Sequence, residues 1–146
     1  KIFGLAGLRL GWMYAPDSIA NVVSSVGITF PVSTTALAAG IVALQDKTHT
    51  DMVFKLNLEI RDEFSSKLEC LGLEVVPSQT NFVLVGFPTG SKSAVDAHRY
   101  LEANGVIVRR LASPAYSNYI RFTVGIREDM TTTVDLLEDF LSQAKE

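Results

Sequence analysis

The chain opens Lys1-Ile2-Phe3-Gly4-Leu5-Ala6-Gly7-Leu8-Arg9-Leu10-Gly11, and the reading of this stretch decides how the rest is understood. A lysine is followed eight residues later by an arginine, with a small, glycine-rich loop between them. A lysine amine is a Schiff-base nucleophile, and a guanidinium is a permanently charged fork that matches a phosphate. Glycines let the backbone turn tightly and approach a ligand. Such a loop can hold an aldehyde at one end and a phosphate at the other. On spacing alone, two solvated basic residues near a chain start are the competing reading.

Outward from this loop, the chain of 146 residues is long enough for one ordinary domain with a sizeable core. It is 47% hydrophobic with a mean hydropathy of +0.23, toward the well-buried end for a non-membrane protein. Thirteen basic and 16 acidic side chains leave a net charge of −3 with no basic run, which argues against nucleic-acid binding. Cys70 is the only cysteine, so no internal disulfide and no cysteine-based zinc site is expected. His49 and His98 stand alone, outside any metal-ligand spacing, and no metal site is expected. The longest apolar run, Ala36 to Leu44, is too short to span a bilayer. A cytoplasmic protein is the simplest fit.

Residues 8–15 are apolar with a β bias and end at Pro16, predicting a buried strand. Ile19, Val22, Val23 and Val26 predict a helix over 17–26 that Gly27 stops. Phe30-Pro31-Val32 is expected to be extended. Ser33 is a candidate N-cap for a small-residue helix to Leu44, suited to close packing against other polypeptide. Val53, Leu56, Ile60, Phe64, Leu68 and Leu71 mark one face of a long amphipathic helix over 48–71, ended by Gly72. Then the texture alternates. Strands are expected at 73–76, 82–87, 106–111 and 119–124, with a helix over 93–103 and a terminal helix over 128–144 burying Met130, Val134, Leu137 and Leu141. This pattern predicts an α/β sandwich, a sheet covered mainly on one side.

The opening block resembles the Ser-Lys-x-Phe-Gly-Leu-Ala-Gly-Leu-Arg-x-Gly segment of the fold-type I pyridoxal-phosphate aminotransferases, and most closely their histidinol-phosphate aminotransferase branch. Two further blocks support it in order: Gly105-Val106-Ile107-Val108-Arg109 and Ile120-Arg121-Phe122-Thr123-Val124-Gly125. The resemblance implies that Lys1 is the catalytic lysine bound to the cofactor pyridoxal 5'-phosphate and that Arg9 contacts its phosphate. It implies the fold as well: residues 1–46 from the large cofactor-binding domain, a long connecting helix over 47–72, and a small C-terminal α/β domain over 73–146. Members carry a long segment before the lysine that supplies most of the cofactor cup. The chain is therefore expected to be the C-terminal part of an enzyme, inactive alone and homodimeric when full length. Lys47, Lys55, Lys67, Lys92 and Lys145 lie among polar neighbours and read as solvated.

Alone, Arg121 reads as an arginine on the wet face of an edge strand, opposite in direction to Ile120, Phe122 and Val124. The resemblance implies instead that it clamps the substrate's α-carboxylate. Histidinol phosphate has no such group, so Arg121 would hold its phosphate, or the carboxylate of glutamate. Counting back along the family pattern places Arg109 at the arginine for the distal phosphate, with Arg110 pointing to the other face and solvent. Members often read Arg-x-Leu-x-x-Tyr-Gly here, whereas this chain has Ser113-Pro114-Ala115-Tyr116. Asn81 reads either as a turn residue bonding its own backbone or as a substrate contact. The implied reaction exchanges an amino group between a small-molecule donor and a 2-oxo acid, histidinol phosphate with 2-oxoglutarate. Aromatic amino acid transamination and phosphothreonine decarboxylation are the neighbouring alternatives. A reading of another class is an α/β interaction domain without chemistry.

Overall fold

Chain segments with a strong local stop signal form their elements where the sequence places them. The computed structural model describes residues 1–143 and divides the chain into two units, Lys1–Phe54 and Lys55–Glu146. In the first unit a 3-10 turn at Ala6–Leu8 precedes α1 (Asp17–Val26) and α2 (Thr34–Gln45). Ser33 caps α2, its Oγ accepting from Ala36 N–H at 3.1 Å. Helix α3 (Lys47–Cys70) begins in this unit and continues into the second.

Two expectations for the first unit fail. Residues 10–16 form no strand, and Trp12 and Tyr14 are 81% and 95% exposed. Apolar β-bias states what a segment does beside a partner strand, and nothing in this unit pairs with it. Phe30 is not extended but takes a positive φ of 57°. Pro31 disfavours the right-handed α region for its predecessor, and this residue uses the left-handed one instead.

The second unit contains β1 (Glu74–Val76), β2 (Phe82–Gly86), α4 (Ala94–Ala103), β3 (Arg109–Arg110), β4 (Tyr119–Thr123) and α5 (Arg127–Ser142). The strands form an antiparallel sheet in the order β1-β2-β4-β3. Gly72, at φ 79°, lets the chain leave α3 so that Leu73 N–H reaches back to the Leu68 carbonyl at 3.2 Å. Ser93 caps α4. The third expected strand shrinks to two residues, because Val106 N–H is drawn to the Leu101 carbonyl (2.9 Å) in closing α4. Ala144, the expected end of the last helix, and Lys145 lie outside the described residues.

One sheet face presents Val83, Val85, Ile120 and Phe122 to the buried faces of α3 from Ile60 onward, α4 and α5. Phe64 and Phe122 meet at 5.7 Å between ring centres. Each such fully buried side chain contributes roughly 1.5–3 kcal/mol. Leu137 is buried as expected, and Thr133 and Phe140 join it. Lys92 is half-buried rather than fully solvated. Its ammonium lies 4.6 Å from the Phe140 ring centre and donates to the Phe140 carbonyl, closing the C-terminal end of α5. The α/β sandwich architecture is thus as expected, with a single layer of helices on one face of the sheet.

Candidate functional site

In the first unit the opening loop doubles back on itself. Gly4, at φ 65°, donates its N–H to the Lys1 carbonyl at 3.0 Å, and the 3-10 turn follows. Arg9 then takes a left-handed φ of 55°, where its guanidinium donates to the Ala6 carbonyl at 2.9 Å. A non-glycine residue there costs about 1–2 kcal/mol, and such outliers concentrate at ligand sites. The result brings Lys1 and Arg9 to the wall of one cleft of about 430 Å³, completed by Phe3, Trp12 and the Leu37, Ile41 and Leu44 side chains of α2. That volume is of small-ligand size. Gly40 makes the close fit possible: a Cβ there would run into Leu10, which also lines the cleft.

In the second unit Arg121 lies on the sheet face away from the helices, half-buried. The β3–β4 register sets Arg109 directly opposite it, and Arg110 opposite Ile120. Arg109 and Arg121 therefore share a face, while Arg110 belongs to the other and is exposed. Like charges directly opposed on a sheet are destabilising. Among the described residues no carboxylate pairs with either arginine. Arg121 Nε is buried without a hydrogen-bond acceptor, and the guanidinium carbon sits 4.9 Å from the centre of the Phe82 ring. A carboxylate or phosphate would relieve both the repulsion and the unmet donor through paired, charge-assisted hydrogen bonds.

Asn81 does not supply the turn's side-chain hydrogen bonds. Those come from Ser78 and Thr80, whose hydroxyls meet the Phe82 carbonyl at 2.6 and 3.1 Å, while the Asn81 carbonyl accepts from Val124 N–H at 2.9 Å. After Ser113, Pro114–Tyr116 forms a 3-10 turn that sets the Tyr116 ring edge-on to Tyr119 at 6.1 Å. Tyr119 in turn donates to both carboxylate oxygens of Glu74, at 3.1 and 3.2 Å, across Gly86. That hydrogen bond, then the negative charge of Glu74, raises the Tyr119 pKa. The Phe82 stack, the Gly40–Leu10 fit and the Tyr119–Glu74 bridge depend on register and packing, and no local sequence signal announces them.

Among the described residues no helix is long and apolar enough to cross a membrane, and no group of acidic, histidine and cysteine side chains is placed to hold a metal. The chain is similar to histidinol-phosphate aminotransferases of Rhodospirillum centenum, 38% identical over 97% of this chain and 39% of the relative, and of Paramagnetospirillum magneticum, 37% identical over 97% and 39%. It spans about 40% of the length of these curated relatives. Among solved structures, the histidinol-phosphate aminotransferase of Sinorhizobium meliloti in complex with pyridoxal-5'-phosphate superposes with a TM-score of 0.80 at 26% identity, over 97% of this chain and 39% of that one. The profile of the family described as aminotransferase class I and II matches residues 1–137. The chain belongs to the aminotransferase class I and II family.

Proposed function

We propose that this chain serves pyridoxal-phosphate-dependent transamination, with histidinol phosphate as amino donor and 2-oxoglutarate as acceptor. The observation that carries the substrate is the opposition of Arg109 and Arg121 on one sheet face, with no carboxylate paired to either among the described residues. Two cations in that arrangement suit a phosphate, which carries close to two negative charges. The relatives at 35–38% identity named for this substrate point the same way.

The cleft residues fit pyridoxal phosphate in chemistry: an amine and a guanidinium line one small cavity. When bound, that cofactor supplies an aldehyde for amines and a ring that takes up electron density. Lys1 Nζ is the amine that binds the aldehyde and later moves a proton at the substrate α-carbon. Arg9 offers the phosphate those N–H donors that its contact with Ala6 leaves over. Arg121 orients the substrate through its carboxylate or phosphate, and Arg109 adds the second cation for a distal phosphate. Residues 1–46 belong in this reading to the cofactor-binding domain, 47–72 to a connecting helix and 73–146 to the small domain, in a cytoplasmic homodimer. A second reading, an aromatic amino donor, draws on the exposed Tyr116 ring beside Tyr119.

The test is Lys1→Ala in the protein that carries this chain. It should abolish both the visible absorption of bound cofactor and turnover; a variant that keeps normal turnover removes Lys1 from the chemistry.

A further inference from the structure

We infer that Phe82 is the positioning residue for Arg121, a step that rests on the proposed role of Arg121 as an anion clamp. In the β2–β4 ladder Leu84 stands opposite Arg121, and Phe82 stands opposite Thr123. Phe82 and Arg121 are therefore diagonal neighbours on one face, a separation that an aromatic ring and a long side chain can bridge. They do bridge it, with the guanidinium carbon 4.9 Å from the ring centre.

The identity of this partner matters. A carboxylate in the same place would hold the arginine by occupying its N–H donors, and would compete with any incoming anion. The face of a ring attracts the cation while using none of the donors. Stacking thus limits the guanidinium's freedom in advance and leaves its fork open for a ligand.

The ring is itself held in place. The Phe82 carbonyl accepts from the Ser78 and Thr80 hydroxyls, and the Phe82 N–H donates to Thr80 Oγ1 at 3.3 Å. The Thr80 carbonyl is tied in turn to α3 by Asn57 Nδ2 at 3.3 Å. The turn Pro77–Asn81 is thereby a support for the arginine. Its hydroxyls hold the backbone of Phe82, Phe82 holds the guanidinium, and the buried Arg121 Nε is left without an acceptor.

The experiment uses the cofactor-loaded protein that carries this chain, with 2-oxoglutarate as the probe, read by calorimetry without amino donor and by the split of KM from kcat. Phe82→Leu should weaken 2-oxoglutarate by about tenfold, within the span of a partly buried cation–π contact. Its kcat should stay within about twofold, since the arginine itself remains. Phe82→Tyr, which keeps the ring face, should restore the affinity to within about twofold. Thr80→Val, which removes the two Thr80 hydroxyl contacts to the Phe82 backbone and leaves the ring, should cost about three- to fivefold. Leucine and tyrosine variants that weaken binding equally would reduce Phe82 to a packing residue, and unchanged affinity in both Phe82→Leu and Thr80→Val overturns the inference. Arg121→Leu separates the two levels. If it leaves 2-oxoglutarate binding intact, the anion clamp itself is wrong; if it abolishes binding while Phe82→Leu leaves the affinity unchanged, only the role of Phe82 falls.

Discussion

Replacing Arg109 by leucine in the protein that carries this chain should split the substrates. Arg109 is exposed on a two-residue edge strand, directly opposite Arg121, with no carboxylate paired to it among the described residues. A charge-assisted hydrogen bond to a phosphate contributes about 1.5–3 kcal/mol, and exposure favours the middle or lower part of that range. Opposed like charges add a little to it, since without Arg109 the ligand no longer has a repulsion of about 0.2–1 kcal/mol in the unliganded sheet to relieve. A net loss near 2 kcal/mol on histidinol phosphate corresponds to about a thirtyfold fall in kcat/KM. Phenylalanine offers Arg109 no anion at that position and should lose less than about threefold. The thermal midpoint without substrate should hold or rise slightly. Steady-state kinetics with both donors, at fixed 2-oxoglutarate, reads the split directly. Equal losses on the two donors, or a fall in stability with no split, would make Arg109 a structural residue and move the aromatic donor ahead.

Gly40→Ala should drive a Cβ into the methyl end of Leu10 and push that side chain into the cleft, seen as weaker retention of the cofactor with little change in the thermal midpoint. Glu74→Gln should return the raised Tyr119 pKa toward the ordinary tyrosine value, seen as an earlier tyrosinate band on alkaline titration. Because that pKa is raised in the folded state, the contact's stabilisation is present below about pH 10 and is lost as pH climbs through the raised value; a titration unchanged by the mutation would remove Glu74 as the cause. The 146-residue polypeptide by itself should self-associate in sedimentation experiments, because Val22, Val26, Phe30, Ile41 and Val42 expose apolar surface; a strictly monomeric species at high concentration would refute this.

Much of the second unit was legible from short-range chemistry. Ser93 announces a helix start by a hydroxyl that satisfies an orphan N–H, and Gly72 announces a helix end by a conformation that few other residues tolerate. The alternation from Tyr119 to Val124 separates Ile120 and Phe122 from Arg121 without any knowledge of the neighbours. What stayed hidden depends on register. That Arg109 faces Arg121, or that Phe82 lies diagonally beneath it, follows only once β2, β4 and β3 are aligned, and a slip of one residue would put each on the opposite face. The candidate site was therefore readable as a set of residue types and unreadable as a set of pairs.

The first unit was harder for a different reason, and its failures share a cause. The strand expected over 8–15 and the small-residue helix α2 are both written for burial on more than one side. Helix α2 is apolar nearly all round, yet only Ala36 and Gly40 are buried, while Leu37, Ile41, Val42 and Leu44 are at least half exposed. A helix of that composition belongs in an interior. Local pattern records the environment for which a segment is suited, and among the described residues that environment is incomplete around α2. The curated relatives, of which this chain spans about 40%, have the additional length from which such cover can come. The same reasoning explains why the cleft is formed nonetheless: it depends on Gly4, the left-handed Arg9 and the Gly40–Leu10 fit, all of which are contacts within one short loop and the helix it rests on.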